Sequence, residues 1–237
     1  MNIVIGGDSW GVREWSFDSE EIHRGMWQYF EEDGYDVDMS AIPGECNNIT
    51  INHLKNVVSS PLKKYDHIFW FQSDPIRDLR PYDDFGKSIK TYEDLIIKSD
   101  ELINKTYKFL NSIGQKIYCI GGCSKLNLEL MKKYKNLYPL IESVTEFILP
   151  TYQHPKLWHS DWINVVDKLD MESIDFLLED KLKQDSLADN KNKEYREYFW
   201  PDGGHPNRKG HRILYDYIIE NVINKRPPNL KYTRKII

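Results

Sequence analysis

Two short segments at opposite ends of the chain carry residue types that together could perform nucleophilic catalysis. The first is Gly7-Asp8-Ser9-Trp10-Gly11, directly after an apolar run, and the second is Asp202-Gly203-Gly204-His205-Pro206. A serine hydroxyl is a weak nucleophile and needs a base within hydrogen-bond reach, itself oriented by a third group. Ser9 as nucleophile, His205 as base and Asp202 as the orienting acid would meet that requirement.

Each segment alone also fits a structural role. Gly-Asp-Ser is ordinary turn chemistry, and a histidine before a helix can simply cap it. The glycines on either side of Ser9 permit the sharp turn that a presented nucleophile needs. The two glycines between Asp202 and His205 let the chain fold back so that the carboxylate can hold the ring. Pro206 keeps His205 extended and outside the helix that follows. Together, the two segments favour the catalytic interpretation.

The elements that must position these segments alternate between short apolar runs and helical periodicity. The pattern predicts five strands and six helices. The strands are predicted at 2–6, 35–39, 68–71, 116–120 and 146–149. The first helix begins at a cap on Asp18, four further helices span 48–58, 91–112, 125–134 and 172–187, and the last begins near Pro206. Near-continuous apolar strands between helices indicate a parallel sheet covered on both faces. Ligand sites of such sheets lie at the carboxyl ends of the strands, where Ser9 falls.

The pattern Gly7-x-Ser9-x-Gly11 also matches the nucleophile elbow of the α/β-hydrolases. Its position in the chain argues against that fold. The elbow follows a central strand that has several strands before it, whereas one predicted strand precedes Ser9. In the α/β-hydrolases the acid and the histidine usually lie on separate loops, whereas Asp202 and His205 are three residues apart.

Gly-Asp-Ser on the first strand, combined with Asp-x-x-His before a C-terminal helix, resembles the SGNH (GDSL-like) hydrolase family. The resemblance covers the strand ends and the last helix. It implies a flavodoxin-like α/β fold, a three-layer α/β/α sandwich around a five-stranded parallel sheet. It also implies ester or thioester hydrolysis through an acyl-enzyme, with no metal and no other cofactor. Ser9, Asp202 and His205 correspond one by one to the triad of that family.

The same resemblance implies an oxyanion hole. The backbone N–H of Ser9 is one donor, and a glycine after the second strand is another. Gly44, in Ile42-Pro43-Gly44-Glu45-Cys46-Asn47, fits that position. The alternative for Gly44 is a simple turn after the proline.

This chain departs from the family at the third oxyanion position, an asparagine after the third strand. Gln72 and Ser73 stand there instead. Ser73 occupies the register of the asparagine, whereas Gln72 has the amide and the longer reach. Losing one oxyanion donor can cost about 100-fold in rate, so a replacement is expected. Either residue could replace the asparagine, and we expect Gln72 to do so because of its amide and its reach.

Aromatic residues follow the predicted fifth strand. We expect Trp10, Tyr152 and Trp158 to line a substrate pocket, where aromatic rings can stack on a sugar or an acyl chain. The alternative is that these rings cover the edge of the sheet. His154 and His159 lie five residues apart without a neighbouring carboxylate cluster, which is a weak metal signal, and no metal site is predicted.

Composition limits the class of protein. The 237 residues are 40% hydrophobic and 29% charged, as is typical of globular proteins, and the net charge of −5 argues against nucleic-acid binding. We see no signal peptide, and no apolar run approaches the length of about 18 residues that a membrane helix needs. Three cysteines form no disulfide framework and fit a reducing compartment. We expect a cytoplasmic protein with one domain over 1–226 and a basic tail over 227–237.

The combined expectation is a serine esterase whose partner is a small-molecule ester, with an O-acetylated carbohydrate as the favoured class. A thioesterase or lipase of the same fold is one alternative. A degenerate, non-catalytic binding module is another. The missing asparagine favours the binding module, whereas the complete set of serine, base and acid favours an enzyme.

Overall fold

A five-stranded parallel sheet forms the centre of the computed structural model, which describes residues 1–12, 24–79, 89–154, 169–188, 193–200 and 205–224. The strands are β1 Asn2–Gly7, β2 Asp36–Met39, β3 His67–Gln72, β4 Ile117–Gly121 and β5 Leu137–Ile141, and they lie in the order β2-β1-β3-β4-β5. All four neighbouring pairs are parallel.

Helices cover both faces of this sheet. They are α1 Ser9–Val12, α2 Met26–Glu32, α3 Asn47–Val58, α4 Tyr92–Ser112, α5 Leu128–Met131, α6 Val144–Ile148, α7 Met171–Ala188, α8 Lys193–Tyr198 and α9 Arg208–Ile218, which continues as a π-helix over Ile219–Ile223. A 3-10 turn, Pro75–Leu79, follows β3. The predicted α/β fold class, three layers around a five-stranded parallel sheet, is confirmed.

The alternation of side chains along β3 divides the core into two layers. Phe69 and Phe71 pack with residues of α2 and α9 on one face. Ile68 and Trp70 pack with residues of α3 and α4 on the other face. Successive side chains of a strand point to opposite faces. The last residue of β3, Gln72, therefore faces the same layer as Ile68 and Trp70.

Most predicted elements lie within one or two residues of the observed ones. The helix predicted at 91–112 is α4, and the side chain of Thr91 caps it by accepting a hydrogen bond from the backbone N–H of Asp94. The cap predicted at Asp18 and the tail 227–237 lie outside the described residues. Within the described ranges, no helix combines the length and the apolar character needed to cross a bilayer.

The fifth strand is a correction. The strand predicted at 146–149 is wrong, because that segment belongs to α6, which Ser143 caps by accepting from the backbone N–H of Glu146. The real β5 lies at the edge of the sheet, where Tyr138 is 39% exposed. An edge strand needs no continuous apolar run and tolerates a proline such as Pro139.

The helix predicted at 125–134 is also a correction, since only α5 forms there. Asn127 caps this helix by accepting from the backbone N–H of Leu130, and a single turn follows before the chain leaves for β5. The helix is therefore shorter than the sequence pattern predicts, because the cap at Asn127 sets its start and the turn sets its end.

Gly7 ends β1 at a point where no side chain fits. Its φ angle is +108°, and a Cβ atom there would lie 1.9 Å from the carbonyl oxygen of Phe71. Both facts demand glycine, because L-residues rarely adopt that φ and the neighbouring strand leaves no room. The sharp exit from β1 that presents Ser9 therefore depends on Gly7.

We expect Gly7→Ala to lower the free energy of unfolding by about 3 kcal/mol or more, since it combines backbone strain with a clash against backbone. Gly34→Ala is the matched control: its φ is +83°, but no atom lies within 4 Å of the added Cβ. That variant should lose only about 1–2 kcal/mol from the left-handed backbone alone. Urea unfolding measures both, and equal losses would contradict the close approach of β1 to β3.

Candidate active site

A hydrogen bond joins the two segments that the sequence singled out. Ser9, the first residue of α1, lies at the carboxyl end of β1, and its Oγ is 2.7 Å from Nε2 of His205. The two residues are 196 positions apart in the chain. A nucleophile and its base need this separation, about 2.6–3.2 Å. Asp202, the predicted orienting acid, lies outside the described residues.

The backbone around His205 is held by a short antiparallel pairing with the chain after α8. The carbonyl of His205 accepts a hydrogen bond from the N–H of Trp200 at 2.9 Å, and the N–H of Asn207 donates to the carbonyl of Tyr198 at 2.8 Å. These two backbone hydrogen bonds, one on each side of Pro206, hold His205 in the extended conformation that the sequence predicts. The position of the base thus depends on α8 as well as on its own segment.

The helix that follows is fixed to the same place. The side chain of Asn207 accepts from the backbone N–H groups of Lys209 and Gly210 and so caps α9. A Cβ atom at Gly210 would lie 2.6 Å from the carbonyl oxygen of Tyr198, so only glycine allows α9 to approach the paired segment. The predicted start near Pro206 moves to Arg208, since Asn207 is the cap.

The ring of His205 packs against Trp10, with ring centroids 6.1 Å apart at 42°. Trp10 is 1% exposed and also contacts Phe199, whose centroid lies 6.4 Å from its own. The prediction that Trp10 lines the substrate pocket is wrong, because its indole belongs to the core beside the histidine. The side chain that follows the nucleophile supports the base instead.

An aromatic row continues from Trp10. Phe199 stacks on Tyr195 at 4.7 Å, and Tyr195 contacts Tyr152 at 6.2 Å between centroids. Tyr152 is partly exposed at the end of this row, and its role in a pocket stays a prediction. Trp158, the other predicted pocket residue, lies outside the described residues.

The loop that carries Gly44 lies beside the strand that carries Ser9. The N–H of Ile42 donates to the carbonyl of Gly7 at 2.9 Å. Gly44 has a φ of +74°, and no atom lies within 4 Å of the place where its Cβ would be. The backbone N–H of Ser9, at the first position of α1, has no intrahelical acceptor. This geometry is compatible with a backbone oxyanion hole, and the donor role of Gly44 stays a prediction.

Gln72 does not point at the site, and the expectation that it replaces the missing asparagine is wrong. By alternation along β3, its side chain faces the layer of α3 and α4, opposite to Phe71. Its Nε2 donates to the Oγ of Ser124 at 2.8 Å and to the carbonyl of Lys125 at 2.9 Å. Its Oε1 accepts from the hydroxyl of Tyr107 at 2.8 Å. Both amide hydrogens are therefore engaged inside the protein.

Ser73, the alternative donor, is engaged as well. Its hydroxyl donates to the carbonyl of Glu45 at 3.0 Å, and its backbone N–H donates to Oδ1 of Asn47 at 3.0 Å. The Nδ2 of Asn47 returns a bond to the carbonyl of Ser73 at 3.2 Å. The end of β3 thus ties the Gly44 loop in place rather than offering a side-chain donor to a substrate.

Asn47 is the residue that sequence reasoning missed. It is fully buried at the first position of α3, three residues after Gly44. Its place in an Asn-Asn pair at a helix start was the available signal, since asparagine favours helix ends. Only the fold reveals that it bonds β3.

We expect Gln72→Ala to act on stability rather than on turnover. Removing three buried hydrogen bonds should lower the free energy of unfolding by about 2–4 kcal/mol, while the folded fraction hydrolyses a test ester at the wild-type rate. Gln28→Ala, which removes one half-buried bond to the N–H of Gly25, should cost about 1 kcal/mol. A kcat reduced about 100-fold with unchanged stability would restore the amide-donor interpretation.

A cleft of about 580 Å³ lies on the α4 side of the sheet, between that helix and the loop after β4. Its walls include the apolar side chains Ile96, Ile103 and Leu128 and acidic groups such as Asp100 and Glu129. Neither Ser9 nor His205 lines it. The cleft is therefore distinct from the serine–histidine pair.

Among the described residues, no three histidine, cysteine or acidic side chains form a group that could hold a metal ion. Of the two histidines considered at the sequence level, His154 is buried and its backbone N–H donates to Oε1 of Glu146 at 2.9 Å. His159 lies outside the described residues.

Comparison with protein-family models found no match for this chain, and comparison with curated proteins found none either. Comparison with solved structures found a likeness to the crystal structure of the protein YxiM from Bacillus subtilis. The identity is 12% and the TM-score is 0.44, over 94% of this chain. The match covers 56% of the YxiM chain, so this chain spans little more than half of that protein.

Proposed function

We propose that this protein is a serine hydrolase of the SGNH type that cleaves a small ester through an acyl-enzyme. One observation carries the proposal: the Oγ of Ser9 lies 2.7 Å from Nε2 of His205. The pair sits at the carboxyl end of an interior strand of a parallel sheet, where ligand sites of such sheets are found. The resemblance of both motifs to the SGNH family supports the same reaction.

The proposed reaction has two halves. His205 takes the hydroxyl proton while the Oγ of Ser9 bonds to the ester carbonyl carbon, and the carbonyl oxygen becomes an oxyanion. The backbone N–H groups of Ser9 and Gly44 would stabilise that oxyanion. Collapse expels the alcohol, which receives the proton from His205. Water then attacks acyl-Ser9 with His205 again as base. The bond between Oγ and the acyl carbon breaks, Oγ takes the proton back from His205, and the acid leaves. Asp202 would hold the ring of His205 throughout, and no step requires a metal or a cofactor.

An O-acetyl ester on a carbohydrate is the proposed substrate class. The partly exposed ring of Tyr152, at the end of the aromatic row from Trp10, supports it, because sugars stack on aromatic faces. The assignment otherwise rests on analogy with the family, since one fold hosts many substrates. Thioester and lipid substrates remain the alternatives within the same mechanism.

A non-catalytic binding module is the competing proposal, and one observation favours it. The side chains of Gln72 and Ser73 at the end of β3 are committed to the protein interior, so this strand end supplies no side-chain donor to an oxyanion. The hydrogen bond between Ser9 and His205 opposes it, since a binding module has no need of a nucleophile paired with a base.

A fluorophosphonate probe tests the proposal without knowledge of the substrate. We expect covalent labelling of the wild-type protein at Ser9, identified by peptide mapping. Ser9→Ala should lose the label and at least about 10³-fold of its turnover of a chromogenic acetyl ester, because the attacking oxygen is gone. Ser112→Ala, at the end of α4 and outside the site, should retain both. Turnover retained by Ser9→Ala, or a label elsewhere, would contradict the triad; a folded wild type with neither label nor turnover would favour the binding module.

A further inference from the structure

The carboxylate of Asp8 spans the turn that presents the nucleophile. Asp8 is fully buried between the end of β1 and Ser9. Its Oδ1 accepts from the backbone N–H of Trp10 at 3.0 Å, so the carboxylate bridges across Ser9. Its Oδ2 accepts from the backbone N–H of Cys123 at 3.4 Å, in the loop after β4. Since β3 lies between β1 and β4, this one side chain reaches past a whole strand.

The surroundings fit that carboxylate closely. The N–H of Asp8 donates to the carbonyl of Phe71 at 3.3 Å, which fixes its backbone against β3. A Cβ atom at Gly122 would lie 3.2 Å from Oδ1 of Asp8 and 3.1 Å from the carbonyl oxygen of Gln72. The backbone of Gly122, in the loop after β4, therefore lies so close to the Asp8 carboxylate that a side chain there would crowd it. Movement of Asp8 would move the turn that holds Ser9.

The charged and titratable groups around Asp8 come from three separate elements. They are Arg77 of the 3-10 turn, Cys123 after β4, and His205 before α9. Burial raises the pKa of Asp8; the Cys123 hydrogen bond, the charge of Arg77, the N–H of Trp10 and the charge of His205 act against that rise. Burial also raises the pKa of the Cys123 thiol well above its usual range, so the thiol stays protonated and can donate.

We propose that Asp8 is a positioning residue for the hydrolase reaction: its carboxylate fixes the backbone around Ser9 by joining the N–H of Trp10 to that of Cys123 in the loop after β4. The inference rests on the proposed function and goes beyond it, because the predicted triad assigns the orienting acid to Asp202 alone. Asp202 would act through a bond to the ring of His205, whereas Asp8 acts on the backbone around Ser9.

Asp8→Asn separates this role from a simple closing of the turn. The amide keeps one oxygen for the N–H of Trp10, but its NH₂ group cannot accept from Cys123, and the charge is lost. Asp74→Asn is the matched control. Asp74 follows β3, is 1% exposed, and its Oδ1 accepts from the N–H of Ile76 at 2.8 Å in the same kind of turn.

The experiment is the rate of Ser9 labelling by the fluorophosphonate probe, measured together with kcat and KM for an acetyl ester. We expect Asp8→Asn to slow labelling and kcat about 10- to 100-fold with little change in KM, as for a misplaced nucleophile. Asp74→Asn should label at the wild-type rate per folded molecule.

Each outcome has a distinct meaning. A labelled wild type with an Asp8→Asn variant that matches it in labelling rate and kcat overturns this inference and leaves the proposed function intact. Slower labelling that Asp74→Asn shares, or a loss that lies in KM rather than in kcat, shows a merely structural acid and also overturns it. If Asp8→Asn does not fold, Asp8→Ser keeps an acceptor for the turn and repeats the test; failure of both to fold overturns it as well. An unlabelled wild type overturns both proposals.

Discussion

The hydrogen bond between Ser9 and His205 is the interaction on which the rest of the site depends, because it joins two segments that nothing local brings together. Each partner is held by a different device. Ser9 is held by the glycine exit from β1 and by the carboxylate of Asp8, and His205 by the pairing of its segment with the end of α8. Displacement of a reacting group by about 1 Å can cost 10²-fold in rate, so each device bears directly on the proposed chemistry.

The polar network at the end of β3 is a second constraint with consequences for that chemistry. It joins Gln72 to Tyr107 of α4 and to the loop after β4, and it joins Ser73 to Asn47 of α3. Buried polar groups that are all satisfied make a rigid structure. In the SGNH family this strand end supplies a hydrogen-bond donor to the oxyanion. In this chain it holds the Gly44 loop in place through Glu45 and Asn47. In the proposed reaction, oxyanion stabilisation would then depend on backbone N–H groups.

The sequence was informative where a local pattern decides the outcome, and misleading where a distant partner does. The pair Ser9 and His205 followed from short motifs, and the long amphipathic helix α4 from its period. The prediction for Gln72 was wrong because its hydrogen-bond partners lie 35 to 53 positions away in the chain, and no local signal shows which face of the sheet its side chain takes. The prediction for β5 was wrong because an edge strand with a proline lacks the apolar run of an interior strand.

The order of elements along the chain also governs when the protein could become reactive. Ser9 follows the first strand, whereas His205 follows all five strands of the described sheet, so these strands are synthesised before His205. Until His205 is synthesised, the hydroxyl of Ser9 lacks the ring nitrogen that lies 2.7 Å from it in the folded protein. A protease that removed the segment beginning at His205 would take away both that partner and α9, which packs against Phe69 and Phe71 in one layer of the core. For the proposed hydrolase, that arrangement would delay reactivity until His205 has been synthesised.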